Sequence, residues 1–166
     1  MNPETLQTGD ILHCRGKGVI STLIMWSTKS SWSHTAIFIE IWGQPYILEA
    51  QRKGVHVIPY YKWLKKYGYE FEISRNRLLT DHNLYSISAM SKVGTTGYDF
   101  ASLLIRFPIS LITGRWKKIK FESNKMFCSE YALWTHDVEK AYRMTPHQVY
   151  EHCGTVDGWD LIESKY

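Results

Sequence analysis

No CxxC pair, no internal repeat and no uninterrupted apolar run of membrane-spanning length occurs in this chain, and each absence excludes something. The three cysteines, Cys14, Cys128 and Cys153, are odd in number and widely spaced. That argues against a zinc ribbon, a dithiol redox motif or a disulfide framework, and it fits a reducing compartment. The start, "MNPETLQTGD", has no basic stretch leading into an apolar one, so no secretory signal is expected. The most apolar stretch, "FASLLIRFPISLITG", is interrupted by Arg106 and Pro108. It falls short of the ~20 apolar residues that cross a bilayer. A cytoplasmic protein is the expectation, with a phage-encoded product or export by another route as alternatives. A net charge of +4 is too weak to point to nucleic acid.

The 166 residues predict one domain, 1–166, long enough to bury a core without disulfides or metals. With 44% apolar and 22% charged residues, disorder is excluded. "TGDILHC" reads as a turn and a short strand, and "GVISTLIMWSTKS" as a short helix. In "SHTAIFIEIWGQPYILEAQRKGVHVIPY", β-branched and aromatic residues predict three strands, broken at Gly-Gln-Pro and Arg-Lys-Gly. "YYKWLKKYG" reads as a short amphipathic turn or helix and "YEFEISR" as a fourth strand. From Leu79 the pattern turns helical. Thr80 or Asp81 is a plausible N-cap, "YDFASLLIRF" and "FCSEYALWTHDV" follow, and Thr145 caps a helix with Pro146 in its first position. "DGWDLIE" adds a last strand. Strands early and helices late make an α+β protein with an antiparallel sheet.

Three side chains carry candidate chemistry. Cys128 stands where a helix begins, so the positive end of the helix dipole favours its thiolate, and the first-turn N–H groups are free for an oxyanion. Ser129 belongs to that turn. His34 opens a strand after the polar run "STKSSWS", where a base meets a groove. Glu49, in "YILEA", is the one acid in an otherwise buried-looking strand. Taken singly, each has a plainer reading: a core cysteine, an exposed histidine, a solvent-facing acid. Strand parity puts His34 and Glu49 on one face. An ideal turn at Gly43-Gln44 would nevertheless set Lys53 opposite His34 and leave Glu49 ~13 Å along the strand. A triad therefore requires a shifted turn or a bulge. Gln51 is the fallback orienter and Glu40 a weaker one.

The ordered set "GDIL", "SHTAIFIE", "YILEA", "GVHVIPY", "GYDFASL", "FCSEYALW" and "TPHQVY" resembles the circularly permuted NlpC-like branch of papain-like thiol hydrolases, above all its YiiX-like members. In that branch the histidine precedes the cysteine, as His34 precedes Cys128. Lecithin:retinol acyltransferase-like proteins share the order but usually carry a second histidine where Glu49 stands. The resemblance implies a papain-like fold, Cys128 as nucleophile, His34 as base and Glu49 as third member. It implies an acyl-enzyme route with no metal or cofactor. Amide bonds, in cell-wall or other small peptides, are the implied substrate. One alternative is a lipid acyl group, making the protein a thiol acyl hydrolase or acyltransferase. The other is a non-catalytic binding module on the same fold.

Elsewhere, Tyr98 is a cleft-lining candidate, though core packing is the simpler reading. Cys14 and Cys153 read as structural, and His13 beside Cys14 is a poor metal pair because neighbours on a strand face opposite ways. His136 and His147 read as helix-surface residues, while His56 and His152 carry no signal. The apolar-to-basic stretch 106–120 suits an anionic membrane surface, a lid or a plain loop. The oligomeric state is open.

Overall fold

The computed structural model describes residues 5–67, 70–98, 125–139 and 144–162. Six strands form one antiparallel sheet in the order β4-β3-β2-β1-β5-β8. They are β1 (Ile11–Arg15), β2 (His34–Ile41), β3 (Gln44–Gln51), β4 (Gly54–Pro59), β5 (Glu70–Asn76) and β8 (Trp159–Ile162). A separate short parallel pair joins β6 (Gly97–Tyr98) to β7 (Lys125–Met126). The helices are α1 (Val19–Thr28), α2 (Tyr60–Tyr67), α3 (His82–Met90), α4 (Cys128–Trp134) and α5 (Pro146–Thr155). The expected α+β layout, with its strands and helices in order, is the observed one. "YDFASLLIRF" and residues 106–120 lie outside the described residues.

Both faces of the sheet are covered, which is why β2 reads as nearly continuous apolar sequence rather than alternating. Ile37 and Ile39 face a cluster with Tyr85, Tyr131 and Leu133 from α3 and α4. Ala36 and Phe38 face the other cluster, with Tyr60 and Trp63 of α2. Among the described residues, no helix is long and apolar enough to cross a membrane.

The β2–β3 turn corrects the sequence expectation. It falls at Trp42-Gly43, both in the left-handed region (φ 50° and 72°), with Ile41 paired to Gln44. Pro45 explains the shift. A turn at Gly43-Gln44 would need the Pro45 nitrogen as closing donor, and proline has none. Moving the turn by one residue slides the pairing by two, so the faces are kept while Glu49 draws closer to His34.

Candidate active site

Cys128 opens α4. Phe127 before it is extended, at φ −83° and ψ 164°, and its N–H is accepted by the Glu130 side chain at 3.4 Å. The first helical bond runs from Tyr131 N–H to the Phe127 carbonyl, 2.9 Å. The N–H groups of Cys128 and Ser129 therefore lie ahead of the helical ladder. Tyr131, Ala132 and Leu133 are buried in the first cluster and fix the helix start against β2.

His34 begins β2, paired across to Cys14 of β1. Its Nε2 is 2.9 Å from Glu49 Oε2. The Cys128 sulfur and the same imidazole interact closely enough for each to shift the ionisation of the other. Glu49, fully buried, also accepts from Trp63 Nε1 at 3.1 Å. His56 Nε2 stands 3.2 Å from its second oxygen, and His56 Nδ1 lies 3.2 Å from the Gly54 carbonyl. Both nitrogens of His56 thus face oxygen atoms.

The electrostatics follow from this geometry. Burial alone would push His34 down, but the Cys128 sulfur and the Glu49 carboxylate outweigh it and carry the ring up to about 10. Burial would raise Glu49, but hydrogen bonds from His34, His56 and Trp63 bring it down to about 2. Burial would also raise the Cys128 thiol. The charge and hydrogen bond of His34, with the N–H and hydroxyl of Thr35, lower it instead. These directions favour a thiolate–imidazolium pair at rest. The other thiols go the opposite way: burial pushes Cys14 well above its ordinary value and Cys153 up to about 12.

Cys128, His34 and Glu49 are therefore brought together, and Glu49 rather than Gln51 meets the imidazole. Glu40 is exposed at the far end of β2. Ser129 is buried in the first turn of α4. Tyr98 is paired through its backbone to Met126, two residues before Cys128, and its side chain lies outside what is described. His56, Thr35 and Trp63 escaped the sequence reading. A two-residue turn at Arg52-Lys53 sets Glu49 across from His56, so a tighter reading of "QRKG" would have found that histidine. His136 is also corrected: it follows α4 and is half-buried, bonded to Tyr85 and the Gly9 carbonyl, with its pKa lowered by desolvation to about 4. A cleft of about 360 Å³ has Arg15, Trp32, Glu72 and Tyr150 in its walls, and none of Cys128, His34 and Glu49 lines it.

Fold and site together define an α+β protein with a thiol, an imidazole and a buried carboxylate in line where a late helix meets an early strand. Among solved structures the chain is similar to the metalloprotein yiiX from Escherichia coli. The TM-score is 0.68 at 16% identity, covering 96% of this chain and 98% of that one. At that identity the likeness establishes a shared YiiX-like fold. No protein-family model matches the chain, and neither does any curated protein sequence.

Proposed function

We propose that this protein is a cysteine hydrolase of the permuted papain-like kind, cleaving amide bonds through an acyl-enzyme. The observation that carries the reading is the imidazole of His34 held between the Cys128 thiol and the buried Glu49 carboxylate. In the resting pair the proton sits on His34. The Cys128 thiolate attacks the substrate carbonyl carbon, and the oxyanion accepts from backbone N–H groups at the head of α4. As the tetrahedral intermediate collapses, the C–N bond breaks and His34 gives its proton to the leaving amine. Water then attacks the thioester, His34 takes the water's proton, and the acid leaves as the thiolate re-forms. Glu49 holds Nε2 protonated and the ring in line.

The metalloprotein character belongs to the neighbour. Among the described residues, no group of three or more His, Cys, Asp or Glu side chains is arranged to hold a metal ion. His34 Nε2 is hydrogen-bonded to Glu49, and His56 Nε2 stands 3.2 Å from its other oxygen, so both rings are turned toward the carboxylate. These residues do not fit a metal centre, so no step runs through one.

The test is labelling with peptide-like and lipid-like electrophiles, comparing wild type, Cys128→Ala and His34→Ala. The reading expects peptide-probe labelling that disappears in the first variant and collapses in the second. Equal labelling of wild type and His34→Ala would remove His34 as activator. Labelling by the lipid probe alone would move the substrate to an acyl lipid.

A further inference from the structure

Helix α1 presents an unusual face. Val19, Leu23 and Trp26 are 78%, 51% and 71% exposed, and Ile20 beside them is 48% exposed. Their spacing sets Val19, Leu23 and Trp26 on one stripe of the helix. The half-buried positions are Ser21, Ile24, Met25 and Thr28, two polar and two apolar, whereas of the exposed positions Val19, Ile20, Thr22, Leu23 and Trp26 only Thr22 is polar. None of the helix residues whose burial is described is buried. Four large apolar side chains contiguous on a short helix mark an interaction surface rather than scattered exposure.

Charge narrows the occupant. No acidic residue occurs anywhere between Asp10 and Glu40, whereas Arg15, Lys17 and Lys29 flank the helix at its two ends. Lys17 and Arg15 precede it, and Lys29 caps its C-terminus in the left-handed conformation. Glu70 stands near Lys17 as a long exposed pair, 3.9 Å. Apolar residues with a Trp on one stripe, bounded by cations and without acids, match the boundary between headgroups and acyl chains of an anionic bilayer. A length of 10 residues lets α1 lie in the surface and not cross it.

Position gives the face a consequence. The helix is the connection between β1 and β2, and its two ends leave the sheet beside the Cys14–His34 pair. The Gly16 N–H donates to Ser33 Oγ at 3.0 Å and ties those ends together. We propose that α1 docks by its Val19–Leu23–Trp26 face on an anionic lipid surface, bringing the His34 end of the sheet to the membrane interface. This docking does not depend on the thiol chemistry, and the two are tested separately.

The experiment is co-sedimentation of the full chain with vesicles of phosphatidylcholine, alone or mixed with phosphatidylglycerol. Wild type, Leu23→Glu, Trp26→Glu and Trp42→Ala are compared. Trp42 is 98% exposed but lies in the β2–β3 turn, at the opposite end of the sheet, so it controls for any exposed tryptophan. Wild type and Trp42→Ala should bind the mixed vesicles about tenfold or more tightly than the neutral ones, and both Glu variants should lose that binding. Alkylation of Cys128 by iodoacetamide should be unchanged in all four, which also reports that they are folded. If wild type binds neither vesicle, the docking is overturned, whether a second copy or another part of this chain covers the face. It is overturned equally if the Glu variants bind as wild type does. A failure of the thiol reading would instead appear as slow alkylation with vesicle binding intact.

Discussion

At the scale of single residues, Glu49 decides the acid end of the pH range. Its carboxyl is lowered from 4.5 to about 2, so its contribution to stability is complete above pH 4.5 and lost as the pH falls toward 2. That loss is on the order of 3 kcal/mol. Denaturant melts across this range should show the wild type weakening as the pH drops and Glu49→Gln staying nearly flat; parallel curves would contradict the assignment. His56 touches Glu49 but not the thiol, which makes it a positioning residue. We expect His56→Ala to slow Cys128 alkylation severalfold, and His34→Ala to slow it at neutral pH by roughly tenfold or more, because an ordinary thiol there is about 1% ionised and its greater nucleophilicity recovers only part of the loss. His56→Ala should also shift the pH profile toward higher pH, which a purely structural role would not do. The three cysteines differ sharply in setting, so native protein should take one alkyl group, on Cys128, by mass spectrometry. Modification of Cys14 in the folded state would be inconsistent with its raised pKa.

At the scale of elements, the β3–β4 hairpin holds the acid against the two histidines, and Gly54 is its hinge. Gly54 has φ +94°, and a Cβ there would meet the Thr96 carbonyl oxygen at 2.4 Å. Gly54→Ala should therefore cost about 2 kcal/mol from backbone strain, with more from the clash, read as a lowered unfolding midpoint. No loss of stability would mean the hairpin relaxes freely, contrary to its bonds with the Thr96 and Gly94 backbone. The elements themselves were legible. The Asp81 and Thr145 caps form, and α4 starts at Cys128 as its local pattern suggests. The hairpin registers were less so. The Trp42-Gly43 turn follows from the missing N–H of Pro45, a constraint carried by one residue and masked by the turn propensity of Gly-Gln-Pro. His56 was invisible for a related reason: its meaning comes only from the residue across the strand.

At the scale of the molecule, the "GDIL" segment closes the fold rather than serving the site. Asp10 is buried and receives Arg75 through Nε at 2.8 Å and Nη2 at 2.7 Å, while Arg75 also reaches the Thr5 carbonyl. The pair pins the start of the chain to β5. Asp10→Ala should destabilise the protein by about 3–5 kcal/mol, because it strands a partly buried guanidinium. A shift under about 1 kcal/mol would show the pair to be no better than a surface ion pair. The sheet's two covered faces were readable from the apolar runs of β2. The meeting of residues 34, 49 and 128 was not, since no local pattern encodes a contact between an early strand and a late helix. Resemblance in segment order pointed there, and the His34–Glu49 hydrogen bond, with the Cys128 sulfur acting on the same imidazole, is what gives the proposal physical content. The most direct test of that line is a pH titration of thiolate ultraviolet absorbance, taken as the difference between wild type and Cys128→Ser. The account predicts that Cys128 ionises below the ordinary thiol value of 9.0 and that His34→Ala returns it to 9.0 or above. A wild-type transition at or above 9.0, unmoved by His34→Ala, would contradict it.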